Sequence, residues 1–314
     1  MKRVIFILVI IFLSLTADAQ IKNESFKLED KKLALSPTSA KDEKQVESKK
    51  QAEAIRLNKE GVAKALNDNN YEQAIVLFRK AIEAAPDCFR CLHNLGRSYI
   101  ETEKYEEAIE IFNDLITRNY KNAGIYAALG QAFSGKKHYR ESIEPYRRAL
   151  EIEPRNAIML CALAISLYHT KDYAQALEYF DKAIKEKSDL LEAHVNRGAA
   201  LYNLNRYEDA LEGLQKALAL NPVSADVHNN LGAILMRIGK NKKAQKHFSE
   251  AMRLNPEAKY PIYNMAISYL DQGERALARE KLNSLEKIDA DLAEQLRKQF
   301  SFGYVIDASQ VKIK

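Results

Sequence analysis

The residues best suited by type and spacing to do chemistry are Cys88 and Cys91, separated by Phe89 and Arg90. A C-x-x-C pair can cycle between dithiol and disulfide, and a helix N-terminus lowers a thiol pKa. Three chemistries use such a string, and each asks for more than is present. Covalent haem attachment wants a histidine directly after the second cysteine, where Leu92 stands ahead of His93. Zinc wants four ligands, and the third cysteine, Cys161, lies far along the chain. Thioredoxin-like exchange belongs in βαβ surroundings that the pattern does not supply. A local disulfide or two packed thiols remain, with Cys161 a small apolar residue. There is no H-E-x-x-H, no glycine-rich phosphate loop and no nucleophile elbow. Glu106-Glu107 and Glu208-Asp209 stand where acidic residues favour a helix start. The expectation is a chain with no metal, no cofactor and no enzymatic activity.

The elements that must position any binding residues are helices. The 314 residues are 46% apolar, ample for a continuous core, while 11 glycines and 7 prolines are few for a loop-rich or all-β fold. Lys plus Arg exceed Asp plus Glu only by 48 to 43 and no long block carries one sign, so nucleic acid is not expected as a partner. Residues 1–19 have Lys2 and Arg3, an apolar stretch from Val4 to Leu15, and small residues at Ala17 and Ala19, as an export signal does. The stretch is shorter than the roughly 20 residues of a membrane-spanning helix, so no stable span is expected after cleavage, and the destination is periplasmic or extracellular. Residues 20–52 are charged and polar, and read as a flexible linker.

A period of 34 residues organises the rest. Tyr71, Tyr105, Tyr139, Tyr173 and Tyr207 mark it, and three residues after each come Ala74, Ala108, Ser142, Ala176 and Ala210. Four further on are Phe78, Phe112, Tyr146, Phe180 and Leu214, and three beyond those Ala81, Leu115, Ala149, Ala183 and Ala217, all on one helix face. Pro86, Pro154, Pro222 and Pro256 close units, and the pairs Leu95-Gly96, Leu129-Gly130 and Leu231-Gly232 mark a second helix that crosses closely. Gly61 lies ten residues before Tyr71 where Gly96 lies nine before Tyr105, which implies one extra residue in the turn Asn67 to Asn70. Pro145 falls inside a helix and predicts a local kink. His194 and His228 are expected at the edge of the core.

These residues resemble the tetratricopeptide repeat (TPR). The resemblance implies an all-α solenoid of seven helix-turn-helix repeats over 53–290 in a right-handed superhelix, with a capping helix and tail over 291–314. It also implies a concave face made by the first helix of each repeat. The groove-facing position two before the repeat glycine holds Asn94, Ala128, Ala162, Asn196, Asn230 and Asn264. Four carboxamides on one face are similar to the asparagine ladder in the TPR superhelix of O-GlcNAc transferases, interrupted here at Ala128 and Ala162. A carboxamide both donates and accepts, so it can hold a peptide backbone without reading its sequence. Arg97 also falls on this face, with Ile165, Tyr168, Tyr202 and Met236 making an apolar middle. Asn58 and Val62 stand where a terminal-carboxylate clamp would need its own pair, so that partner class is not expected.

The function these features imply is a scaffold that binds extended segments of a protein or peptide partner in the groove. The competing expectation is a subunit locked permanently into a cell-envelope or secretion assembly. A stable lone monomer would favour the first, and instability without a partner the second.

Overall fold

The computed structural model describes residues 41–301. The expected export signal, the linker up to residue 40 and the tail from 302 lie outside the described residues. Fifteen α-helices occupy the described chain: α1 (Lys41–Asn67), α2 (Tyr71–Ala84), α3 (Phe89–Glu101), α4 (Tyr105–Thr117), α5 (Ala123–Gly135), α6 (Tyr139–Ile152), α7 (Ala157–His169), α8 (Tyr173–Glu186), α9 (Leu191–Asn203), α10 (Tyr207–Leu220), α11 (Ala225–Arg237), α12 (Asn241–Leu254), α13 (Lys259–Asp271), α14 (Arg275–Glu286) and α15 (Ala290–Ser301). In chain order they are seven helix pairs and a final helix, the all-α solenoid architecture expected. The chain divides into two compact units, whose described parts are α1 to α7 and α8 to α15.

Each recurring residue has a mechanical task. The tyrosine is the first residue of the second helix in five pairs, and the rings of Tyr105, Tyr139 and Tyr207 reach the end of the first helix of the following pair. In the first unit Tyr139 stacks on His169 with centroids 3.9 Å apart. In the second, Arg237 donates to the Tyr207 hydroxyl at 3.0 Å and lies over its ring. The repeat glycine meets the aromatic of its own hairpin. A Cβ on Gly232 would lie 2.5 Å from Phe248 Cε1, and one on Gly61 would lie 2.6 Å from Phe78 Cε1. Only a hydrogen fits at such a crossing, and the ring it admits is wholly buried. Ser142 keeps the small volume of its alanine counterparts, and its hydroxyl donates to Ser166 Oγ at 2.8 Å.

The turns repeat as well. The residue two before each second helix has a left-handed backbone: Asn69, Glu103, Lys137, Lys171, Asn205, Gly239 and Gly273. Behind it a backbone bond closes the preceding helix, as from Lys104 N to Tyr99 O at 2.8 Å and from Lys240 N to Leu235 O at 2.8 Å. In the first pair the same bond runs from Asn70 N to Lys64 O at 2.9 Å, one residue wider. The extra residue inferred between Gly61 and Tyr71 is therefore absorbed in the last turn of α1, and the link itself stays at three residues.

One further expectation differs from what is found. Helix α1 reaches back to Lys41, into residues expected as flexible linker. Residues 41–53 are lysine, glutamate, glutamine and alanine with few others, strong helix formers that extend an existing helix at little cost. Glu53–Arg56 and Arg56–Glu60 pairs then support the exposed surface. Helix α6 continues through Pro145, which is buried at its centre, over the same 14 residues as α8 and α10. At the end of the array α15 buries Leu292, Ala293 and Leu296 against the second unit's core and leaves Glu294 and Arg297 exposed.

Candidate binding face

The first helices of successive pairs touch one another directly: α1 with α3, α3 with α5 and α5 with α7 in the first unit, α9 with α11 and α11 with α13 in the second. The predicted site residues other than the cysteine pair lie on these helices, Asn94, Arg97, Ile165 and Tyr168 in the first unit and Asn196, Tyr202, Asn230 and Asn264 in the second.

In the first unit Asn94 on α3 donates from Nδ2 to Asn58 Oδ1 on α1 at 3.0 Å, and Arg97 Nη1 reaches Gln131 Oε1 on α5 at 3.5 Å. Ile165 is half-buried and Tyr168 buried on α7. In the second unit Asn264 on α13 donates from Nδ2 to Asn229 Oδ1 on α11 at 3.0 Å, repeating the Asn94–Asn58 contact. The separations are 35 and 36 residues, and the difference is the extra residue of α1. So the side chain two before the glycine bonds to the one three before the glycine of the preceding repeat. Asn58 and Asn229 are the acceptors that the single-position reading of the ladder passed over.

The other two asparagines differ. Asn196 turns back, its Nδ2 donating to the Glu192 carbonyl of its own helix at 2.9 Å. Asn230 is 5% exposed and its Nδ2 has no partner, while its Oδ1 lies at the limit of hydrogen bonding, 3.5 Å from Asn229 Nδ2. Asn264, only 1% exposed, leaves Oδ1 unpaired, and the neighbouring Tyr263 hydroxyl is also without a partner. Burial raises the Tyr263 pKa to about 12, which keeps it a neutral donor. Tyr202 and Met236 are buried on α9 and α11.

Electrostatics on this face centre on α11. Asp226, one turn ahead of Asn229 and Asn230, is raised to about 6 by burial away from water. Asp271, two turns beyond Asn264, is raised for the same reason. His194 and His228 sit at the core edge, with Nε2 atoms 2.9 Å from the Ser188 carbonyl and 3.4 Å from the Pro222 carbonyl, so each ties a helix start to the loop before it. His228 Nδ1 also meets His247 Nδ1 at 3.1 Å, and burial followed by the charge of His228 lowers the His247 pKa.

Cys88 and Cys91 are joined as a disulfide, with Cα atoms 5.3 Å apart, and Cys161 is a buried thiol. Cys88 occupies the N-cap slot of α3, its Sγ accepting from Cys91 N at 3.3 Å. Asn122, Asn156 and Ser224 cap α5, α7 and α11 from the corresponding slot at multiples of 34 residues. Among the described residues no three His, Cys, Asp or Glu side chains gather as metal ligands, and no helix is long and apolar enough to cross a membrane.

Family models for the tetratricopeptide repeat match residues 65–132 and 225–258, a TPR repeat model matches 200–239, and the model of anaphase-promoting complex, cyclosome, subunit 3 matches 135–217. No curated protein matches the sequence. Among solved structures, a tetratricopeptide repeat protein from Parabacteroides merdae is 15% identical, with 79% of this chain and 98% of that one covered and a TM-score of 0.65. That likeness shows the fold. YrrB, described as a TPR protein with an unusual peptide-binding site, is 23% identical, with coverage of 60% and 97% and a TM-score of 0.47. MamA from Desulfovibrio magneticus is 21% identical, with coverage of 54% and 96% and a TM-score of 0.49.

Proposed function

This chain carries tetratricopeptide repeats, and from that premise we propose a non-enzymatic scaffold that binds extended protein or peptide segments across its first-helix faces. The observation that carries the reading is an unpaired donor, Asn230 Nδ2 on α11, and an unpaired acceptor, Asn264 Oδ1 on α13, on two helices that touch. Buried amide atoms without partners cost free energy, and the C=O and N–H of an extended backbone are the partners they lack. Helices in contact sit about 10 Å apart and an extended chain advances roughly 3.3 Å per residue, so successive rungs meet about every third residue of a guest. Half-buried Ile165 offers apolar surface on the first unit's face, while Tyr168, Tyr202 and Met236 are buried within their units. Export is part of the proposal, supported by the composition of residues 1–19 and by the Cys88–Cys91 disulfide, which persists in oxidising compartments.

The test is the affinity of the chain for a fluorescent pool of random nonapeptides, acetylated and amidated at their ends, read by anisotropy. Replacing Asn196, Asn230 and Asn264 together with Ala should weaken binding at least tenfold whatever the pool's composition. Unchanged affinity would leave the asparagines as surface polar residues and nothing more.

A further inference from the structure

The charged side chains of the second unit's first helices are few. Helix α9 has Glu192 and Arg197, α11 has Asp226 and Arg237, and α13 has Lys259 and Asp271. Every cation among them is engaged: Arg197 with Asp181 at 2.5 Å, Arg237 with the Tyr207 hydroxyl at 3.0 Å, and Lys259 with Asp289 at 2.6 Å. Asp226 and Asp271 take no ion pair and no hydrogen bond, although both are withdrawn from water. The face is therefore left with negative charge that nothing in the unit answers.

Asp226 is the better placed of the two. Offsets of three and four residues put it on the same face of α11 as Asn229 and Asn230, one turn nearer the helix start. Asn230, one turn further along that face, carries an unpaired amide nitrogen on a side chain more than nine-tenths buried, and Asn264 on the adjoining α13 an unpaired amide oxygen. A dipole role alone does not explain its position, because Ser224 Oγ already caps α11 by accepting from Val227 N. Exposed acids such as Glu106 and Glu107 serve a helix start without giving up water.

Resting on the backbone-binding reading above, we propose that the second unit's face selects extended segments bearing an arginine or lysine, whose side chain reaches sideways from the amide-held backbone to Asp226. The amides hold the main chain in register, and the carboxylate reads one side chain. Charge pairing in a partly dehydrated site is worth more than at an open surface, which is how one carboxylate can discriminate among guests.

The test uses three synthetic nonapeptide pools with acetylated and amidated ends, alike except for the central residue: arginine, its neutral isostere citrulline, or glutamate. Anisotropy with the full chain at pH 7.5 and low salt should show the arginine pool binding about tenfold tighter than the citrulline pool, and the glutamate pool weakest. Asp226→Asn, verified as folded by circular dichroism, should bring the arginine and citrulline pools within about twofold while leaving the citrulline affinity in place. Equal binding of arginine and citrulline by the native chain overturns the charge selection and leaves the amide reading standing. An arginine preference that survives Asn230→Ala, with no loss in any pool, overturns the amide reading. Failure of all three pools to bind the native chain overturns both.

Discussion

Asn229 and Asn230 are adjacent, identical in type and almost equally buried, yet replacing each with Ala should move stability in opposite directions. Asn229 Oδ1 accepts the 3.0 Å bond from Asn264 Nδ2. Removing it leaves Asn264, 1% exposed, with both halves of its amide unpaired, which costs about 1–3 kcal/mol. Asn230 makes only a 3.5 Å contact through Oδ1 and keeps an unpaired buried Nδ2. Its removal relieves about 1–3 kcal/mol of uncompensated desolvation and gains about 0.5 kcal/mol of helix propensity. Lost packing of the amide subtracts roughly 1 kcal/mol, so the net is a stabilisation of about 1 kcal/mol, or on the order of 3 °C in melting temperature. Urea melts of the two variants, each with its slope compared to the native protein, measure the signs. Both variants should bind the random nonapeptide pool more weakly. Equal destabilisation by both would mean that Asn230 is paired in solution, and its claim as a free rung would fall.

Three other perturbations probe the frame and the charge. Gly232→Ala puts a Cβ 2.5 Å from Phe248 Cε1, an overpacking of about 1–3 kcal/mol offset by roughly 1 kcal/mol of helix propensity. Urea melts should show a net loss that Phe248→Leu partly restores in the double variant, as the Ala266–Leu282 pair of the seventh repeat already accommodates. Replacing Cys88 and Cys91 with Ser opens a four-residue loop and should cost about 2 kcal/mol by the chain-entropy relation. A dithiothreitol titration of the native protein should reproduce that loss, and an unchanged melt under reduction would refute it. The Asp226 pKa lies above its unfolded value of 3.8, so the penalty for burying the carboxylate is absent near pH 4 and complete above about 6. Relative to Asp226→Asn, the native chain should lose on the order of 2 kcal/mol over that window, and parallel profiles for the two would refute the burial.

Local geometry explains which of these features were legible in the sequence. Tyrosines, small residues and ring positions at a period of 34 make equivalent contacts in successive hairpins, so repetition in the sequence announces repetition in space. The N-cap slot obeyed the same period through Cys88, Asn122, Asn156 and Ser224 and was readable, but the cysteine pair drew attention to redox chemistry instead. The rotamer of an amide is another matter. Asn196 bonds its own helix, Asn230 leaves a donor free and Asn264 reaches the preceding repeat, although all three stand two residues before a repeat glycine or its alanine counterpart. Their neighbours decide this: Asn229 offers Asn264 an acceptor, whereas Val195 offers Asn230 none. The start of α1 was illegible for a different reason, since charged residues that cannot form a core can still prolong a helix that one end anchors.

The contrast between periodic and aperiodic positions bears on what the face binds. Where a residue packs against its own hairpin, the copies are held to a few solutions: glycine meets a ring at Gly61, Gly96, Gly130 and Gly232 and a leucine at Gly198, and alanine takes its place at Ala266. Where the neighbour is a guest with its own irregular sequence, no such pressure operates. The charged positions on the first-helix faces vary from repeat to repeat, from Arg97 in the first unit to Asp226 and Asp271 in the second. Buried amides and carboxylates without internal partners reduce the stability of the unit that holds them. A solenoid tolerates that locally because its hairpins are held by the crossings of their own two helices, ring against glycine in α1–α2, α3–α4, α5–α6 and α11–α12, and not by the face itself. It follows that substitutions of face side chains that bond nothing within the unit, Asn230 and Asp226, should weaken binding by about tenfold without destabilising the fold, whereas substitutions at the crossings should destabilise the fold and leave guest preference unchanged. A crossing variant that altered guest preference without altering the melt would break this division.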